Sequence, residues 1–166
     1  RDSRIEDYLE AARRVTAAGG FALRMGAVVA RPLPDTGDAR IIDYATRFRS
    51  DFMDIYLAAT CRFFLGSAVG LLAVSHVFDV PTARANHVPL GRYPLATFDL
   101  FTPKLLRDIA TGELLDFATC RERGFFAPWG RINDAAFYTA EGVAFVDNTP
   151  DEIAGLTGDM FDRLAG

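Results

Sequence analysis

The sequence lacks nearly every residue set that announces a function on its own. Its 166 residues include two cysteines, Cys61 and Cys120, and two histidines, His76 and His87. These four lie in no metal-ligand spacing, so no zinc constellation can be built and no metal is expected. Cys61 heads an apolar run and reads as a buried, reduced thiol. Basic stripes are missing too: the formal net charge is −4, the wrong sign for a nucleic-acid surface. The Arg13-Arg14 and Arg47/Arg49 pairs read as solvated surface. No apolar run is long enough to span a membrane and no signal peptide is visible, which leaves a cytoplasmic location as the expectation. There is no convincing Ser-His-Asp order, no cluster of carboxylates at metal spacing and no paired-acid constellation. Asp51 and Asp54 lie three apart on one predicted helix, but Asp51 reads as a first-turn acid. Internal repeats, low-complexity tracts and a second domain are also absent, so residues 1–166 read as a single domain large enough to bury a core.

What is present is an ordinary globular composition, 50% hydrophobic and 24% charged. Predicted strands alternate with helices from end to end, the pattern of an α/β, doubly wound fold with a mostly parallel sheet and helices on both faces. Ser3 stands in capping position, with Glu6 three residues on, for a helix through about Thr16, and Gly19-Gly20 ends it. A short strand covers Phe21 to Met25. Residues 27–38 hold too much Pro and Gly for a regular element. Ile41-Ile42 offers a brief strand, and Ser50 caps a helix whose inner face is expected to carry Phe52, Ile55, Tyr56 and Ala59. Further on, His87 to Pro103 reads as a long irregular passage. Pro103–Ile109 and Leu115–Arg123 read as short helices, Arg131–Ala140 as another, and Val143–Val146 as a strand. A last helix follows, with Pro150 at its first position behind a Thr149 cap.

The stretch from Arg62 to Pro89 stands out. Arg62 to Leu65 is a strand, Gly66-Ser67-Ala68-Val69-Gly70 a small-residue turn, Leu71 to Phe78 a nearly all-apolar helix, and Thr82 to Asn86 a second strand. Such a βαβ unit presents bare backbone N–H groups at the carboxyl end of a parallel strand, where α/β proteins hold phosphates. The turn is neither a GxGxxG fingerprint nor a Walker loop, so packing alone is an equally open reading. Candidate residues at the strands' carboxyl ends are Arg24, Gly66, Ser67, Gly70, Asn86 and His87, with Arg1 and Asp2 added if a strand precedes them. Guanidinium forks would suit phosphate oxygens, and an amide would suit a base or sugar edge. Arg24 could equally pair with a nearby acid. His76, inside an apolar helix, reads as core or interface, whereas His87 reads as a loop residue placed for acid, base or hydrogen-bond work.

The words RDSRIEDYLEAA, FALRMG, ARIIDYATRFRSDFMDIYLAATCRFFLGSAVGL, FDVPTARANHVPLG and DNTPDEI resemble a bacterial glycosyltransferase family found with surface-polysaccharide genes, over nearly the whole chain. The resemblance implies the carboxyl-terminal half of a glycosyltransferase-B architecture, a Rossmann-like domain that binds a nucleotide-sugar. Gly70-Leu71 and Val80-Pro81 stand at the separation seen in heptosyltransferases and their relatives. By that likeness Ser67, Ala68, Val69 and Gly70 would hold the donor's diphosphate. Two departures matter: Val69 stands where Ser or Thr is usual, and Ala73 where heptosyltransferases carry a His. In the family an apolar strand leads into the Arg1-Asp2-Ser3 segment, so an amino-terminal segment preceding this chain is an expectation.

The implied function is transfer of a sugar from a nucleoside diphosphate sugar to a glycan or lipid-linked acceptor, with the donor as substrate and no separate cofactor. Arg1 and Arg24 would hold phosphate, with Gly66, Ser67 and Gly70 forming the turn. Asn86 and His87 would meet base or ribose, and His87 is also a catalytic candidate. Asp2 is the visible candidate for a general base. Two other readings stay open: a non-catalytic nucleotide-sugar-binding or assembly module, and a nucleotide-sugar epimerase.

Overall fold

Strand β4 (Thr82–His87), buried along its whole length, is the axis of the molecule. The computed structural model describes residues 3–67, 70–88, 90, 91, 96, 98–126 and 135–166. A 3-10 turn at Ile5–Tyr8 runs into α1 (Leu9–Ala17). Ser3 does not cap it: the flanking residue is Arg4, which makes no side-chain cap, and the Ser3 hydroxyl instead accepts a hydrogen bond from Asn86 Nδ2 (3.3 Å). Strand β1 (Ala22–Leu23) pairs in parallel with β2 (Ile41–Ile42), and the Pro- and Gly-bearing segment between them forms no helix or strand.

After α2 (Tyr44–Arg47), helix α3 (Asp51–Thr60) opens on the expected cap, Ser50 Oγ accepting from Met53 N–H (3.3 Å). Its inner face is not the expected one. Phe52, Ile55 and Tyr56 are exposed, and Asp54 and Ala58 are buried instead. The cause is how the helix is held. Asp54 accepts from Tyr44 Oη (3.1 Å) and pairs with Arg49 (2.9 Å). Ala58 is small enough for its carbonyl to accept directly from Ser75 Oγ (2.9 Å) on the neighbouring helix.

The expected strand–helix–strand is present as β3 (Phe64–Gly66), α4 (Gly70–Val77) and β4, with Phe64 opposite Thr82 and Gly66 opposite Arg84 in parallel register. Asp79, at φ 55°, turns the chain out of the helix. Two expectations downstream are corrected. The passage from His87 to Pro103 ends in a strand, β5 (Leu100–Pro103), parallel to β4. Pro103–Ile109 is not a helix but contains β6 (Leu105–Asp108), antiparallel to β7 (Val143–Val146). Leu106 is buried and Arg107 exposed, so the alternation of a half-buried strand, with a partner available, overrides the helical leaning of the leucines.

Helix α5 (Phe117–Glu122) is capped by Asp116, which accepts from Thr119 N–H (2.7 Å). Helix α6 (Ala135–Ala140) matches the later part of the expected element; residues 131–134 lie outside the described residues. Helix α7 (Pro150–Ala165) begins with a full capping box between Thr149 and Glu152, with Pro150 in its first turn.

The result is a mixed α/β fold. Among the described residues its largest sheet is three-stranded and parallel, in the order β3-β4-β5, with helices packed on both faces. On one face Ala83, Ala85, Leu65 and Leu100 meet Ala11 of α1 and Ile153, Leu156 and Met160 of α7. The two alanines in β4 let those helices approach closely. Burying Ile153 or Met160 contributes roughly 1.5–3 kcal/mol each. On the other face Phe64 packs with Ala58 and Leu72. A separate cluster, including Leu106, Phe125, Tyr138 and Val143, lies under the β6–β7 pair. Among the described residues no helix is long and apolar enough to cross a membrane.

Candidate functional site

Three parallel strands end side by side, at Gly66, His87 and Pro103, and the crossover from β3 to β4 begins there. Gly66 closes β3, Ser67 follows half-buried, and Gly70 opens α4 on the surface. Residues 68 and 69 lie outside the described residues, so the central part of the turn, including Val69, carries no structural statement. A Cβ at Gly70 would meet nothing within 4 Å, so the helix start is open to an approaching group. A Cβ at Gly66 would sit 3.1 Å from the Phe64 ring, so glycine there is set by packing within β3.

Asn86 lies beside this turn but is already engaged. It adopts φ 53° at the end of β4 and forms a reciprocal pair with Asn148, which sits between β7 and α7. Asn86 N–H donates to Asn148 Oδ1 (2.5 Å) and Asn148 N–H donates to Asn86 Oδ1 (2.7 Å). Asn86 Nδ2 reaches Ser3 Oγ and, at 3.5 Å, Tyr8 Oη, while Asn148 Nδ2 donates to Pro103 O (2.9 Å). Both asparagines are buried. One knot therefore ties the ends of β4, β5 and β7 to the amino-terminal turn.

His87 is not a loop residue. It is the last residue of β4, buried, with its ring 5.1 Å from that of Phe101 and its carbonyl accepting from Lys104 N–H (3.1 Å). Arg24 lies at the end of β1 rather than at the three-stranded sheet. Its Nη1 donates to Asp43 Oδ1 (3.2 Å) and to Arg31 O (2.8 Å), so of its two open readings the structure holds the acid pair. Burial pushes the Asp43 carboxyl up, but hydrogen bonds from Thr46 Oγ1, Leu33 N–H and Arg24 outweigh it and leave the group below its ordinary range. Arg1 and Asp2 lie outside the described residues.

Two polar groupings escaped the sequence reading. The first is Lys104, the chain's single lysine, immediately after β5 at this same end of the sheet. Its side chain is nearly buried and its Nζ meets Asp147 Oδ1 at 2.5 Å. The available signal was the word Pro103-Lys104 at the end of an apolar run, together with Asp147-Asn148 ahead of a helix cap. Both mark strand ends.

The second grouping lies at the opposite, amino end of the strands. Asp99, with a fully buried side chain, accepts from Thr82 N–H (2.9 Å) through Oδ1 and from Arg84 Nη2 (3.1 Å) through Oδ2. Arg84 Nη2 also lies 2.6 Å from His76 Nε2. A guanidinium can only donate, so Nε2 accepts from it and the ring proton is assigned to Nδ1. Thr82 Oγ1 and Asp99 Oδ2 approach the same nitrogen, at 3.5 and 3.1 Å. A relay from hydroxyl through imidazole to carboxylate would need the two ring nitrogens used separately. The cluster is a lock between α4, β4 and the segment before β5.

Comparisons of the chain with models of known protein families, with curated proteins and with solved structures returned no match.

Proposed function

We propose that the chain is the nucleotide-sugar-binding part of a glycosyltransferase of the glycosyltransferase-B type, Rossmann-like and doubly wound. It would act with a nucleoside diphosphate sugar as donor and a glycan or lipid-linked acceptor. The observation that carries this reading is the parallel β3–α4–β4 crossover, with an open helix start at Gly70 directly after the carboxyl end of β3. Backbone N–H groups of the first turn of α4 would take the diphosphate, and the positive end of the helix would stabilise the charge that grows as the sugar leaves. Ser67 adds a hydroxyl donor. Lys104 replaces Arg24 as the cation near the strand ends. Its ammonium pairs with Asp147 and keeps two further donors for a phosphate. Asn86 supports the floor of the site through Asn148 and is a positioning residue rather than a ligand contact.

A second reading, a non-catalytic nucleotide-sugar-binding module, is favoured by one specific arrangement. His87, the acid–base candidate that lies within the described residues, is buried. The experiment is to incubate the protein with nucleotide-sugars, with and without acceptor glycans, and measure free nucleoside diphosphate. Acceptor-dependent release supports the transferase. Binding without release supports the module. An interconverted sugar on an intact diphosphate points to an epimerase.

A further inference from the structure

The outer surface joining α3 and α4 is apolar in a way that neither the fold nor the donor-site reading uses. Phe52, Ile55 and Tyr56, at helical spacing on α3, are 73%, 46% and 50% exposed; Val77 and Phe78, at the end of α4, are 78% and 55% exposed. They are continuous. Phe52 and Tyr56 stack with ring centroids 6.0 Å apart, and Ile55 lines a groove of about 250 Å³ with Ala73, Val74, Val77 and Phe78. The groove has no polar lining.

We infer that this face is the interface of a twofold-symmetric dimer, with a second copy of this chain as its occupant. The area fits. Aromatic side chains bury about 150–250 Å² each when fully covered, so Phe52, Tyr56 and Phe78 leave roughly 270–450 Å² to cover, and Ile55 and Val77 extend the patch further. A standard interface buries about 800 Å² per partner, of which about 65% is apolar in homodimers, or about 520 Å². The patch supplies that apolar core and leaves the remainder to its rim. Next to the patch in the chain, Arg49 and Asp51 precede Phe52 and pair with each other (2.9 Å), and Asp79 follows Phe78. With Arg49 paired inside its own chain, the rim carries little charge of one sign and can meet a copy of itself, whereas an acidic or basic partner, or an anionic membrane, would call for a strongly charged rim. The inference is independent of the donor site, because Gly70 begins α4 and the patch gathers toward its other end.

The test is sedimentation velocity with light scattering on the whole chain over about 1–100 µM. A concentration-dependent dimer is expected. Val77→Glu, and separately Phe52→Glu, should weaken it at least about tenfold with the circular dichroism spectrum and melting temperature unchanged, since both side chains are largely in solvent. A monomer throughout that range, or a dimer indifferent to both substitutions, overturns the proposal and leaves the face to another occupant.

Discussion

Replacing Asn86 by alanine separates a ligand contact from a structural knot. The substitution deletes the oxygen that accepts from Asn148 N–H at 2.7 Å and leaves that buried donor unsatisfied, a cost of about 1–3 kcal/mol. It also asks an alanine to hold φ 53°, which costs a further ~1 kcal/mol. Losing the longer contacts to Ser3 and Tyr8 adds little, since at 3.3 and 3.5 Å they are weak. The expected loss is therefore roughly 2–4 kcal/mol, read as a lower urea midpoint at constant slope. Asn86→Gly should recover part of it by relieving the backbone term alone. The two asparagines share their bonds, so Asn86→Ala/Asn148→Ala should cost less than the sum of the singles, with a coupling of about 0.5–3 kcal/mol. An Asn86→Ala protein as stable as the parent but unable to bind nucleotide would refute the knot and return Asn86 to the ligand.

Other expectations follow from the same contacts. Asp99→Ala removes the fully buried carboxylate that accepts from Thr82 N–H and Arg84 Nη2 and should cost about 1–3 kcal/mol in urea melts. The Tyr138 hydroxyl is buried with no hydrogen-bond partner among the described residues, and burial, with Cys120 adding, pushes its pKa up to about 12. Tyr138→Phe should therefore raise stability by about 1 kcal/mol, and the parent ring should ionise only above the ordinary tyrosine range in an ultraviolet titration. Asp43 sits below its ordinary value of 3.8, so its contribution is present above that pH and is lost as pH falls through the folded value. An Asp43→Asn variant should show a flatter acid limb than the parent in melts between about pH 5 and 2.

Local signals in the chain were legible where one element explained them. The Ser50 and Thr149 caps, the glycine stop after α1 and the β3–α4–β4 crossover each depend on residues within a few positions of one another. What stayed hidden depends on partners distant in sequence. Leu105 to Asp108 has no strand-forming side chains of its own and becomes a strand because Val143–Val146 lies opposite. On α3 the expected apolar face lies outward, because Asp54 and Ala58 are drawn inward by Tyr44, Arg49 and Ser75. The candidate site shows the same division. The small-residue turn is visible as a word, whereas the engagement of Asn86 by Asn148, 62 residues away, and of Arg24 by Asp43, 19 residues away, is not.

The central claim is that the first turn of α4 holds a nucleoside diphosphate, and Gly70 permits a direct measurement. A methyl group added there meets no neighbour within 4 Å, so Gly70→Ala should fold and melt like the parent while obstructing the approach of phosphate to the helix start. Thermal melts of both proteins with UDP-, GDP- and dTDP-sugars are the measurement. The account predicts that one donor class stabilises the parent by about 2.7 kcal/mol at a hundredfold excess over its Kd and has little effect on Gly70→Ala. No shift with any donor, or an equal shift in both proteins, would contradict it.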